Sequence, residues 1–426
     1  MKTAATVCTP TGLGWLPALR TAVLGLLTLG LTVLPTGGGP LPAGAAESTA
    51  AATDAAAAVA RVAELGGKVN RDGDGEPTQI SISDGAVSAE DARLFGSLPR
   101  LTALTILNSR TLDDSVLEAL GSRVPLRSLA VTNSAITDSG AATIAAAFPD
   151  LEELDLSSNT NLTGAAMRSI ASLAKLRRLS LVQTRFNDIH TRRLKGLDDL
   201  EVLDLRGNME AGDMTMGIVG GLPKLRAFKH RSTIATDDGV ERLAASDSLA
   251  ALLMQDFAIS DAAGPHLARC SNLGSLEIFR CQGFGSPGVL ALAGLPLERL
   301  TLRDLPQVGD DALAVVAELP KLRWLSLHEL PSVGDAGLAK LTAAEGLEVL
   351  DIWALPLVTD ASVDVIAKLP ALRELSIRET TMTPAALEAL MANERIESLT
   401  FKNGDVPAAV REKLSQRTWK KLDLGG

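Results

Sequence analysis

Arginine, histidine and tryptophan recur at one phase along the second half of this chain. Arg206, Arg231, Phe279, Arg303, His328, Trp353 and Arg378 stand 24 or 25 residues apart, or a multiple of that step, and Trp324 lies nearby at a second phase. A guanidinium pairs with carboxylates or phosphates in a planar, two-pronged geometry. An exposed indole stacks on apolar groups or sugars, and both side chains are enriched where binding energy concentrates. Asp351 and Glu374 put carboxylates among them, and Asp256, Asp304, Glu329 and Glu379 lie one residue beyond the column. The chemistry on offer is recognition, or else a set of ion pairs that the surface makes with itself.

Other chemistry finds little support. His190, His230, His266 and His328 are scattered without metal-ligand spacing, and no nucleophile elbow, phosphate loop or dinucleotide fingerprint occurs. Asp72-Gly73-Asp74-Gly75-Glu76 has carboxylates at alternate positions, but it lacks the remaining ligands of a calcium loop and reads as a polar turn. His230 takes a position where other repeats carry aliphatic residues and is expected to be a buried, hydrogen-bonded imidazole. The expectation is therefore no enzyme, no cofactor and no metal.

What positions the column is an L-x-x-L-x-L block, as in Leu101-Leu104-Ile106, Leu151-Leu154-Leu156 and Leu322-Leu325-Leu327. It recurs every 23 to 25 residues from 101 to 419, with a weaker copy at Ile80 and Ile82. The fourth and sixth residues alternate onto one face of a short strand, leaving the third, fifth and seventh on the other. Pro331 then ends the strand of its unit. Gly334-Asp335 opens a short helix whose Leu338 and Leu341 face inward, with Asp335 expected as its N-cap. Thr137-Asp138, Thr236-Asp237 and Thr359-Asp360 repeat that signal in phase. Self-similarity at this period marks a solenoid, and equivalent positions of neighbouring coils fall about 4.8 Å apart, so each becomes a column.

These blocks resemble the leucine-rich repeat family over residues 77–426. The helix-bearing variants are nearest: ribonuclease-inhibitor-like repeats and the cysteine-containing repeats of F-box proteins, whose T-D-x-G-L segment is echoed in Thr236-Asp237-Asp238-Gly239-Val240. A leader followed by T-D-x-(G/A)-L repeats is also similar to exported bacterial members, especially those of planctomycetes. The resemblance implies an α/β, right-handed horseshoe of about 14–15 coils, with a parallel sheet on the concave side and short helices on the convex side. It says little about function, because the family shares an architecture and differs in ligand. The chain departs from the family at the ninth repeat position, which runs through Ser109, Ser134, Asn159, Thr184, Asn208, Thr233, Phe257, Cys281, Leu305, Leu330, Leu355, Thr380 and Gly404 instead of a steady Asn or Cys.

Composition and termini narrow the field. Hydrophobic residues make up 46% and aromatics 3%, so the core is aliphatic. A net charge of −10 argues against nucleic acid as the partner. Residues 1–45 read as a signal peptide: Lys2 and Arg20 precede the apolar run Thr21–Leu34, and Ala43-Gly44-Ala45 suits cleavage. An uncleaved anchor is the alternative, and no later segment is expected to span a membrane. Residues 46–76 read as a helical cap followed by a Gly-rich turn. Cys270 and Cys281 flank a strand, too far apart for a disulfide, and are expected as buried thiols.

The reading that follows is an exported, non-catalytic scaffold that binds a protein through the C-terminal half of its concave face, at Arg206, Arg231, Phe279, Arg303, Trp324, His328, Asp351, Trp353, Glu374 and Arg378. A glycan-binding module of the cell envelope is the alternative. An F-box-like adaptor is less favoured, because the 46–76 stretch is too short and too polar for an F-box.

Overall fold

The computed structural model describes residues 55–425; the leader at 1–45 and the start of the cap lie outside them. Among the described residues sixteen strands, numbered β1 to β16 in chain order, form one sheet in strict sequence order. From β2 (Pro77–Ser83) to β16 (Lys421–Asp423) every pairing is parallel, so fifteen coils stack in register. The fold is a leucine-rich repeat solenoid, with short helices or 3-10 turns returning the chain from strand to strand.

Each apolar position of the repeat reaches the core. Leu325, Leu327, Leu338 and Leu341 of one coil are buried, as are their equivalents up to the last coil, where Leu422 is partly buried, in one continuous cluster. Burial of this kind stabilises each unit only through its neighbours, which is why the array needs closed ends. At the N-terminal end a helix over 55–64 packs on the first coil. The stretch expected as a Gly-rich turn also forms a strand, β1 (Lys68–Arg71), which pairs antiparallel with β2 and closes that sheet edge as a hairpin. Its turn is the acidic segment: Asp72 accepts the amides of Asp74 and Glu76, and Arg100 bridges Asp72 and Asp74.

The Thr-Asp pairs work differently from the expectation that the Asp caps its own helix. Thr137 and Thr359 hold the N-cap position and accept the amides of Ser139 and Ala361. Asp335 is instead the first helical residue, after Gly334. Its carboxylate reaches across to the next coil, accepting the Thr359 amide, the Thr359 hydroxyl and the Ser362 hydroxyl. Asp114, Asp138, Asp213 and Asp360 make the same link to Thr137, Thr163, Thr236 and Thr383. The free N–H groups at one helix start thus find their acceptor one coil back. Asp335→Ala should cost about 2–3 kcal/mol, since it strands one amide and two hydroxyls at a charge-assisted acceptor. The urea midpoint reads this, and a change below about 0.5 kcal/mol would mean the link is idle.

The eighth position turns the chain off the sheet in the left-handed conformation. Asp256, Arg280, Asp304, Glu329, Ala354 and Glu379 have φ between 51° and 61°. Asp and Asn tolerate that region best, so backbone geometry suits Asp256 and Asp304 there, whereas it gives no preference to Glu329 and Glu379. The ninth position is buried in most coils and half-buried at Ser134 and Thr380, and two members of the expected column are not in it. Ser232 takes the place of Thr233, which is exposed, because the coil from Leu225 turns one residue early. Asn403 replaces Gly404, bonding to Thr380 and Met382. Cys270 and Cys281 are buried and unpaired, and burial pushes their thiols up to about 11 and about 12.

His230 is fully buried, its ring nitrogens 3.1 Å from the Leu205 carbonyl and 2.7 Å from that of Ala211. Phe228 stacks on it and Phe257 meets it edge-on. Burial lowers its pKa, and the two carbonyls only partly oppose that. It belongs to the core.

Candidate recognition surface

Register brings the expected residues into one column. Phe279, Arg303, His328, Trp353 and Arg378 end strands β10 (Ser275–Phe279), β11 (Arg299–Arg303), β12 (Trp324–His328), β13 (Val349–Trp353) and β14 (Glu374–Arg378), and pair in that order. Their side chains interlock. The Arg303 guanidinium lies 4.3 Å from the Phe279 ring centre and 5.0 Å from that of Trp353. Arg378 approaches Trp353 from the other side at 5.5 Å, and His328 meets the indole edge-on at 5.7 Å. Arg280 covers Phe279 at 4.5 Å. Each such cation–π contact contributes about 0.5–1 kcal/mol when exposed and more when desolvated.

Carboxylates complete the lattice. Asp351 sits between His328 Nε2, at 2.9 Å, and Arg378, at 2.9 and 3.1 Å. Glu329 takes the Arg303 Nε–H at 2.8 Å. Further back, Asp204 holds Arg206 on its own strand and Asp256 pairs with Arg231. The column is therefore basic in sequence and largely neutralised in space. Glu374 does not join the network; it stands exposed at the third position of its coil, level with Val349 and Ser398. Trp324 lies outside the column, half-buried, with its Nε1–H on Ser326 Oγ at 2.9 Å and the Arg299 guanidinium 4.2 Å above its ring.

Arg299 and Glu277 of this face went unread in the sequence, and Lys229 was read only as a charge flanking His230. Arg299 stands one coil before Trp324 at the third position, and reading that column as closely as the seventh would have found it. Lys229 and Glu277, at the fifth position, lie on either side of Leu253. Burial lowers the Lys229 pKa and raises that of Glu277.

Desolvation pushes the Asp351 carboxyl up, but the hydrogen bond and charge of His328, with Ser376 and Arg378, outweigh it and hold the group down to about 2. Unfolded, an aspartate titrates near 3.9, so between these values the unfolded chain binds more protons. The stabilisation is thus complete above about pH 4 and is lost as pH falls toward 2. For a partly solvated group it amounts to about 1–2 kcal/mol. Asp351→Asn should be less stable than the parent at pH 7 by that amount and converge with it near pH 2. Curves of denaturant midpoint against pH that stay parallel would contradict this.

Fold and face together define a leucine-rich repeat solenoid with a charged and aromatic inner sheet. No protein-family model matches the chain, and no curated protein matches it. Among solved structures, the yeast Rad7–Elc1 complex is similar, with a TM-score of 0.55 and 17% identity, over 85% of this chain and 90% of that one. The TLR13–ssRNA13 complex has a TM-score of 0.53 and 17% identity, over 82% of this chain and 57% of that one. At such identities the likeness shows the shared fold alone.

Proposed function

We propose that this chain is an exported, non-catalytic scaffold that recognises a partner protein through the C-terminal half of its concave face. The observation that carries the proposal is the braced lattice of Phe279, Arg303, His328, Trp353 and Arg378 across five consecutive strands. Aromatic and arginine side chains held in place by their neighbours lose little entropy on binding, which is what a recognition surface needs. Rad7 was crystallised with a protein and TLR13 with an RNA, so the architecture serves either kind of partner. The choice here rests on this chain's own face. Its arginines are mostly matched by carboxylates, which supports a protein partner over a polyanion. The guanidiniums over both tryptophans leave less bare ring for a sugar to stack on, which weighs against a glycan.

Trp324→Ala, Trp353→Ala and Arg378→Ala combined should abolish co-purification of the partner from the native organism while leaving far-UV circular dichroism unchanged. Retention of every partner by the triple variant would remove the patch from consideration. Binding on a glycan array at millimolar ligand would favour the sugar reading instead.

A further inference from the structure

Arg299 differs from every other arginine that this face carries from residue 206 onward. Arg206, Arg231, Arg280, Arg303 and Arg378 each meet a carboxylate. Among the described residues the Arg299 guanidinium meets only the Trp324 ring: its N–H groups make no hydrogen bond or ion pair. Yet it is half-buried, and burial alone, with no carboxylate opposing it, lowers its pKa. A cation taken partly out of water without a counter-charge is costly, and an incoming anion relieves that cost.

The surroundings suit a side chain arriving from outside. Trp324 stands on one side, its plane fixed through Ser326. On the other, the third-position column runs Ala227, Ala251, Ser275 up to Arg299, in register on adjacent strands. Ala227 and Ala251 are themselves buried, so the opening lies at Ser275, directly beside Arg299 and partly exposed, whose Oγ is buried without a hydrogen-bond partner. One guanidinium offers a single positive charge and one planar fork, so a single-charged, planar anion matches it better than a phosphate dianion.

We infer that Arg299, laid flat on Trp324, is the receptor for a carboxylate side chain of the partner protein. The inference rests on the scaffold reading above and adds the chemistry of one contact. The guanidinium edge takes the carboxylate in a two-pronged pair, while the indole holds the guanidinium plane in place. A charge-assisted pair of this kind changes affinity by about 10- to 100-fold.

The test is a titration of the full chain labelled with 15N-arginine, in which the Arg299 Nε–H resonance is identified by its loss in Arg299→Lys. Glutarate should shift that resonance saturably. Inorganic phosphate and chloride at equal ionic strength should shift it less than half as far. Trp324→Ala should weaken the glutarate response about fivefold, since the stacked ring is what orients the fork. A resonance that ignores glutarate overturns the inference, and one that answers phosphate equally well overturns the choice of a carboxylate. Loss of partner in the triple variant with a silent Arg299 resonance would sink this contact and leave the scaffold standing. A glutarate response with partner binding intact in the triple variant would do the reverse.

Discussion

Asn208→Ala is expected to lower stability by about 3–5 kcal/mol, a large loss for one side chain. The amide is completely buried and saturated. Its Nδ2 donates to the carbonyls of Leu181, at 2.7 Å, and Leu205, at 3.0 Å. Its Oδ1 accepts the Phe186 amide at 2.8 Å and the Thr184 hydroxyl at 3.2 Å. Alanine would leave buried backbone and hydroxyl groups of two coils without this partner, beyond the reach of water. Asn208→Leu should not rescue the loss, although Leu305 and Leu330 fill the same position elsewhere, because the Phe186 amide still lacks its acceptor. Nearest-neighbour stability in a solenoid confines the damage, so faster hydrogen exchange should concentrate in the coils that begin at Leu176 and Leu200. A urea midpoint shifted by less than about 1 kcal/mol would show that the site collapses and repairs itself.

Trp353→Ala should weaken partner binding about 30- to 1,000-fold, corresponding to about 2–4 kcal/mol, if the proposed scaffold role holds. Its ring is what Arg303, His328 and Arg378 close upon, so its loss unbraces three side chains at once. The fold should survive, because Arg303 keeps Glu329 and Arg378 keeps Asp351. Glu374→Ala is the contrasting variant: exposed and outside the lattice, it should change affinity less than threefold. Calorimetric titration with the captured partner decides it. Equal losses in the two variants would mean that the lattice is not the focus of binding.

Much of this architecture is legible in the amino-acid sequence. Leucines at the first, fourth and sixth places of an almost constant step dictate short strands, one buried face and parallel stacking, because period-2 alternation and equal spacing allow no other register. The same arithmetic put Phe279, Arg303, His328, Trp353 and Arg378 in one column. The antiparallel hairpin at Lys68–Arg71 was hidden by its polar residues, and the early turn of the coil at Leu225 by a single missing residue.

What the amino-acid order determined by itself, then, was the address of each side chain: its coil, its column and its face. Which partners those side chains chose was decided by the tertiary structure. Asp335 has its own helix and the next coil within reach and bonds to the coil. Each arginine of the inner sheet has several carboxylates within a coil's distance, and rotamers and short-range geometry select among them. They gave Asp351 to Arg378 and Glu329 to Arg303, and left Arg299 to an aromatic ring. Columns follow from a period, whereas pairing follows from distances of a few ångströms that a period does not encode.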